Sequence, residues 1–187
     1  MALAQQQMSL EDYLAWENQQ PGRNEFYRGE VFAMVGAQRA HGCIVSNLNR
    51  RLAEQLDGMP CRVFTEGMKL QVADDAIFYP DLMVTCDKAD LATDMIFRAP
   101  TLVIEVLSPG TQAYDRGLKF AVYRRLPSLR EYILVDSDAR SVEGFRRNDE
   151  GRWVLYDMSE GPALEAASLG CSVPLAQVFD GVDPPGA

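Results

Sequence analysis

One carboxylate interrupts a strongly apolar stretch of the sequence. Glu105 is the only charged residue between Leu102 and Leu107, and the residues around it are Leu, Val or Ile. A buried carboxylate is costly unless it is paired, bound to a metal or protonated. Glu105 therefore needs a partner elsewhere in the chain.

A second acid, Asp81, heads another apolar segment at 81–85. If the two segments are paired strands, directly opposite side chains lie about 5 Å apart. Two carboxylates at that distance form a hard-oxygen site that suits Mg²⁺ or Mn²⁺. An ion bound there can activate a water and polarise a phosphoryl oxygen. Asp81 and Glu105 are thus the predicted metal ligands, and the predicted chemistry is metal-assisted phosphodiester hydrolysis.

A lysine beside such a site would hold the attacking hydroxide or stabilise the transition-state charge. Lys119 is the candidate, because it lies on the predicted helix that follows the Glu105 strand. Asp115 precedes it by four residues, and this spacing is also that of a surface ion pair worth about 0.3–0.5 kcal/mol. The spacing alone leaves both interpretations open.

The elements that position these residues indicate a mixed α/β (α+β) domain with one central sheet flanked by helices. An N-terminal helix capped by Ser9 precedes a hairpin turning at Arg28 and Gly29. Three strands (61–72, 81–85 and 101–107) suggest a meander. The remaining predicted elements are an amphipathic helix at 39–56, a helix at 111–126, a strand at 131–135, a C-terminal hairpin at 142–146 and 153–157, and a short ordered piece at 175–179.

Length and composition fit one globular domain over residues 1–187, with an ordered core at about 9–180 and a tail at 183–186. The formal charge of -9 argues against a protein that coats nucleic acid, so a nucleic-acid contact must be local. The sequence has neither a membrane-spanning stretch nor the features of a secretory signal at its start. We expect a cytoplasmic protein.

Cysteine and histidine provide few metal ligands of the zinc type. The four cysteines are widely spaced, with no C-x-x-C pair, and His41 is the only histidine. A structural zinc site is not expected, and the cysteines are predicted to be buried free thiols. His41 precedes Ile44 and Val45 on one face of the amphipathic helix, where a packed core histidine and a site residue are both compatible with the pattern.

The order of several short motifs resembles the Uma2 family (DUF820) of bacterial, and especially cyanobacterial, proteins. The resemblance covers about residues 9–147. The motifs are Glu25-Phe26-Tyr27-Arg28-Gly29-Glu30, His41 at a helix start, Tyr79-Pro80-Asp81, residues 103–109 around Glu105, Tyr114-Asp115-x-x-x-Lys119-x-x-x-Tyr123, and Glu131-Tyr132-x-x-Val135-Asp136.

The resemblance implies a restriction-endonuclease-like fold of the PD-(D/E)xK superfamily and an endonuclease activity, with DNA as substrate and Mg²⁺ or Mn²⁺ as cofactor. Asp81 and Glu105 match the two acids of that pattern. The lysine expected two residues after Glu105 is replaced by Leu107.

In the Uma2 pattern a lysine of the following helix takes that role, and Lys119 fits it by position. Asp115 would orient Lys119, and His41 with Glu25 or Glu30 would contribute upstream. A homodimer is compatible with a fold that cuts two strands with two sites.

Two alternatives remain open from the sequence. The chain could be a catalytically inactive nuclease fold that binds nucleic acid or a protein partner, which the absence of a lysine at position 107 favours. It could also be a structural module in which Glu105 and Lys119 form a buried ion pair.

Overall fold

The computed structural model describes residues 8–34 and 36–183. Val35, at the end of the predicted N-terminal hairpin, and all of the predicted tail except Asp183 lie outside these residues. The helices are α1 (Leu10–Glu17), α2 (Arg39–Gln55), α3 (Gln112–Tyr114), α4 (Phe120–Tyr123) and α5 (Leu175–Val178). The strands are β1 (Asn24–Tyr27), β2 (Glu30–Ala33), β3 (Arg62–Thr65), β4 (Lys69–Val72), β5 (Ala76–Phe78), β6 (Leu82–Thr85), β7 (Ile96–Phe97), β8 (Pro100–Leu107), β9 (Glu131–Asp136), β10 (Ser141–Arg147), β11 (Trp153–Asp157), β12 (Ala163–Ala166) and β13 (Cys171–Pro174).

A six-stranded mixed sheet forms the centre of the fold. Its strand order is β11-β10-β9-β8-β6-β3, and β8 and β9 are parallel while the other neighbours are antiparallel. The predicted meander is present here, since β3, β6 and β8 are antiparallel neighbours. The mixed α+β class is confirmed.

A second sheet was not predicted. Strands β2, β1, β5, β4 and β7 form a five-stranded sheet in that order, and β12 pairs with β13 alone. The predicted single strand at 61–72 is therefore wrong, because β3 joins the central sheet and β4 joins the second one. Gly67 lies in the turn between them with φ of 105°, a conformation that glycine adopts without strain.

The two faces of the central sheet are both covered, and this explains the unbroken apolar runs of its middle strands. Along β8, Leu102, Ile104 and Val106 pack with the apolar side of α2 and with the β12–β13 hairpin. Val103 and Leu107 point the other way, toward the helical segment 112–123 and the second sheet. The alternation places Glu105 on this second face.

Several local predictions are confirmed. Ser9 caps α1 through a hydrogen bond from the Asp12 backbone N–H, and Arg28 and Gly29 turn the first hairpin with positive φ. Helix α2 matches the predicted amphipathic helix, and β10 and β11 form the C-terminal hairpin.

Two expectations about the rest of the chain are wrong. Cys61 and Cys86 form a disulfide across the ends of β3 and β6, whereas Cys43 and Cys171 are free thiols. The segment after β11 also contains the β12–β13 hairpin, because alternating small and apolar residues there pack onto α2.

Within the described residues, no helix has both the length and the apolar character needed to cross a membrane.

Candidate active site

Asp81 and Glu105 meet on adjacent strands, as predicted. Strand β6 pairs with β8 in a register that sets Leu82 opposite Ile104, which brings Asp81 level with Glu105. The Asp81 backbone N–H donates to Glu105 Oε2 at 3.2 Å, and the Val106 backbone N–H donates to Asp81 Oδ2 at 2.7 Å. The main chain of each strand thus holds the carboxylate of the other.

Lys119 reaches this pair from the helical segment 112–123. The turn Asp115–Lys119 is π-helical, a local widening that is frequent at functional sites. Lys119 Nζ lies 2.9 Å from Glu25 Oε1, 3.2 Å from Glu105 Oε1 and 3.4 Å from Asp115 Oδ1. Lys119 and Asp115 are 6% and 3% exposed. Their interpretation as a surface pair is therefore wrong.

Glu25, and not Glu30, is the upstream acid of the cluster. Glu25 lies on β1 with its side chain buried, and its Oε1 also accepts a hydrogen bond from the Tyr79 backbone N–H at 3.2 Å. Glu30 is exposed on β2 and does not line the cavity at the cluster. The two acids lie at opposite ends of the Glu25–Glu30 hairpin motif, which explains why the sequence alone did not separate them.

His41 and Glu66 lie on the other side of Asp81. His41 is in the first turn of α2, and its Nε2 lies 3.1 Å from Asp81 Oδ2. Its Nδ1 lies 3.9 Å from Glu66 Oε1. Glu66 was missed by the sequence reasoning because it follows β3 in a turn that was predicted to be strand. Its backbone N–H donates to the Asp81 carbonyl oxygen at 3.2 Å, which fixes the turn beside Asp81.

Two buried tyrosines donate hydrogen bonds to the cluster formed by Glu25, Glu105, Asp115 and Lys119. Tyr123 donates its O–H to Glu105 Oε1 at 3.0 Å, and Tyr132 donates to the Asp115 carbonyl oxygen at 3.0 Å. Tyr132 is fully buried and packs in the core. Tyr123 belongs to the Tyr114–Tyr123 motif, but only the fold shows that it contacts an acid.

Burial dominates the electrostatics of the acids. It raises the pKa of Glu105 well above its ordinary value and raises those of Glu25 and Asp115, and in each case the Lys119 ammonium opposes the shift. Burial acts against the charge of Lys119, but Glu105, Glu25 and Asp115 outweigh it and raise the lysine pKa well above its usual range. Lys119 therefore remains a cation at neutral pH.

The cluster lines a cavity of about 780 Å³ that also presents the aromatic rings of Phe32, Tyr79 and Tyr114. Among the described residues, the lining includes five carboxylates (Glu25, Glu66, Asp81, Glu105 and Asp115) and only two Lys or Arg side chains (Arg23 and Lys119). The cavity therefore has an excess of acidic groups, and a bound cation would stabilise their ionised forms.

The chain is similar to known proteins in sequence and in fold. A family model named Uma2, described as "Putative restriction endonuclease", matches residues 10–176. The chain belongs to the Uma2 family. This family description indicates a nuclease-type hydrolase, a class that generally uses divalent metal ions.

Two relatives come from Synechocystis sp. (strain ATCC 27184 / PCC 6803 / Kazusa). The "Uncharacterized protein slr1290" is 35% identical over 176 residues, covering 94% of this chain and 93% of that protein. The "Uncharacterized protein sll1609" is 31% identical over 162 residues, covering 84% of this chain and 92% of that protein.

The fold also matches a solved structure. It is the crystal structure of a "putative nuclease belonging to DUF820" from Anabaena variabilis ATCC 29413. The TM-score is 0.78 at 16% identity, with 94% of this chain and 99% of that chain covered. This likeness confirms the nuclease-like fold class of the Uma2 chain.

Proposed function

We propose that the chain is a metal-dependent endonuclease that hydrolyses phosphodiester bonds in DNA. The observation that carries this proposal is the convergence of five carboxylates and one buried lysine on a single cavity. A purely structural module has no need for that excess of negative charge, because buried like charges destabilise a fold. The Glu105–Lys119 pair of the structural alternative is present, and Lys119 also contacts Glu25 and Asp115, but it accounts for neither Asp81 nor Glu66.

The residues present fit a hard divalent ion. Asp81 Oδ2 is engaged by the Val106 N–H and by His41, whereas Asp81 Oδ1 accepts no hydrogen bond from residues 8–34 and 36–183. Glu105 Oε2 accepts only the Asp81 N–H within the same residues. Asp81 and Glu105 would hold Mg²⁺ or Mn²⁺ through these oxygens. When bound, such an ion lowers the pKa of a coordinated water and polarises a phosphoryl oxygen.

Lys119 supplies a fixed positive charge at the same point. Because its pKa is raised, the ammonium cannot act as a general base at neutral pH. Its role in this proposal is electrostatic: it stabilises the negative charge that develops on the phosphoryl oxygens and on the attacking hydroxide. The helix provides this cation because the usual lysine position is occupied by Leu107, which packs in the core.

Glu25 and Asp115 position Lys119. Carboxylate oxygens of Glu25, Glu105 and Asp115 lie within 3.4 Å of Nζ, and Glu105 accepts a hydrogen bond from it. Placement of a catalytic group is sensitive, since a displacement of about 1 Å can cost about 10²-fold in rate. The rigid contacts offset the disadvantage of taking the lysine from a different element.

DNA is proposed as the substrate on family grounds, bound locally because the chain is acidic overall. Arg23 at the cavity is available to contact a phosphate. Two sites would allow both strands of a duplex to be cut in one binding event, so we include a homodimer in the proposal. Light scattering of the purified protein, with and without duplex DNA, tests this part.

The test of function is cleavage of supercoiled plasmid and single-stranded DNA with Mg²⁺ or Mn²⁺. Asp81→Asn and Glu105→Gln should abolish cleavage, while Asp149→Asn, an exposed acid in the β10–β11 turn, should not. If cations bind in an Asp81-dependent way but no DNA form is cut, the chain is an inactive nuclease fold, and binding assays with nucleic acid replace cleavage assays.

A further inference from the structure

The side of Asp81 away from Glu105 contains a second group of possible ligands. His41, Glu66 and Asp81 each offer one ligand atom, and these atoms lie within 4.8 Å of one another. The three residues come from α2, the β3–β4 turn and the start of β6. They are therefore brought together by the fold and not by sequence proximity.

The contact of His41 Nε2 with Asp81 Oδ2 at 3.1 Å leaves the other ring nitrogen without a partner among the residues that the structure describes. His41 is 9% exposed, and its Nδ1 has no hydrogen-bond partner within residues 8–34 and 36–183. The 3.9 Å between Nδ1 and Glu66 Oε1 is too long for a hydrogen bond. Buried polar atoms in native proteins nearly always have a partner. An unpaired imidazole nitrogen aimed at a carboxylate therefore points to a ligand between the two.

The 3.9 Å between His41 Nδ1 and Glu66 Oε1 fits a cation shared by the two residues. Ligand nitrogens and oxygens lie about 2.0–2.2 Å from a first-row divalent ion, so two ligands of the same ion are separated by roughly 3–4 Å. The turn is also held in place, because the Glu66 backbone N–H is bonded to the Asp81 carbonyl oxygen. The Glu66 side chain is 43% exposed, which leaves a path from solvent.

We propose that His41, Glu66 and Asp81 form a second cation subsite that shares Asp81 with the Asp81–Glu105 site and selects Mn²⁺ or Zn²⁺ over Mg²⁺. Imidazole suits first-row transition ions and zinc, whereas Mg²⁺ prefers oxygen ligands and retains its waters. This inference rests on the proposed function only where it invokes the ion of the Asp81–Glu105 site. Cation binding by His41, Glu66 and Asp81 does not require that DNA be cut.

A single histidine makes the subsite directly observable. In the untagged protein at pH 8, long-range ¹H–¹⁵N correlation detects one imidazole, that of His41. Addition of Zn²⁺ should shift the ¹⁵N resonance of its coordinated nitrogen, and excess Mg²⁺ should not. If His41 is instead an imidazolium paired with both acids, Zn²⁺ leaves both nitrogens unchanged and the proposal is refuted.

Variants separate the two sites by Mn²⁺ binding measured with electron paramagnetic resonance. Glu66→Gln should weaken one Mn²⁺ by about tenfold or more and abolish the Zn²⁺ shift of His41, while Glu105→Gln should weaken the other ion and retain that shift. The exposed Glu160 provides the control Glu160→Gln. Unchanged Zn²⁺ and Mn²⁺ binding in Glu66→Gln refutes the subsite. If Glu105→Gln binds Mn²⁺ as the wild type does, while Glu66→Gln shows the expected loss, the Asp81–Glu105 site is refuted and the His41–Glu66–Asp81 subsite is supported.

Discussion

Replacement of Lys119 by methionine should destabilise the protein in a pH-dependent way. Its ammonium lies 2.9–3.4 Å from three carboxylate oxygens, and Glu25, Glu105 and Asp115 are 2–4% exposed. Removing one partner of a buried ion pair typically costs about 3–5 kcal/mol, because a charge remains without compensation. We expect a loss of that size in the free energy of unfolding of Lys119→Met at pH 8.

The same carboxyl groups determine the pH dependence. Burial already raises their pKa values in the presence of Lys119, and loss of the ammonium raises them further. A group whose pKa is raised on folding contributes stability below its unfolded pKa and loses it as pH rises through the folded pKa. The destabilisation of Lys119→Met should therefore be much smaller near pH 5, where these carboxyls can take up protons.

Urea denaturation at pH 5 and pH 8 measures both effects. Lys88→Met, which removes an exposed lysine, is the matched control and should change little at either pH. An equal loss at both pH values would refute the reasoning. So would a loss below about 1 kcal/mol at pH 8, since that is the range of a solvent-exposed pair.

Three further predictions concern the same cluster and its frame. Cations should compete with protons for Glu105, because burial raises the pKa of its carboxyl group. The increase in melting temperature caused by Mn²⁺ should therefore be larger at pH 8 than at pH 6. An increase that is equal at the two pH values, or larger at pH 6, would contradict this. Tyr123→Phe removes the O–H donated to Glu105 and should cost about 1.5–3 kcal/mol in urea denaturation, and a neutral substitution would show that the carboxyl does not depend on it. Cys61→Ser should lower stability by about 2–4 kcal/mol, because the disulfide closes a loop with a sequence separation of 25 residues. Cys43→Ser, which removes a free thiol, is its control. Titration of the denatured wild-type protein should detect two more thiols after reduction than before, because reduction releases Cys61 and Cys86.

The sequence located the centre of the candidate site because the physical conflict is local. A carboxylate at position 105 inside an apolar strand is costly unless it has a partner. Asp81 and Lys119, which lie on the predicted elements before and after this strand, were the candidates for that partner. The structure brings all three together. Burial of Lys119 could not be derived from its spacing to Asp115, since the same i,i+4 step occurs on exposed helix faces.

The parts that were missed depend on long-range packing. Residues 61–72 alternate like one strand, and only the positive φ of Gly67 and the pairing partners of β3 and β4 separate them into two sheets. Glu66 enters the site because of that turn. The Cys61–Cys86 disulfide likewise requires β3 and β6 to be neighbours, which the spacing of the cysteines does not indicate.

The rate of plasmid nicking by Lys119→Met tests the central claim most directly. It should be measured with saturating Mn²⁺, beside the wild type and Lys88→Met, at a pH where circular dichroism shows each variant to be folded. Removing one preorganised group that stabilises transition-state charge typically costs about 10²–10³-fold in rate, and we predict a loss of that size with Mn²⁺ binding retained. Nicking by Lys119→Met within about twofold of the wild-type rate would contradict the claim that the helix lysine serves the site of Asp81 and Glu105.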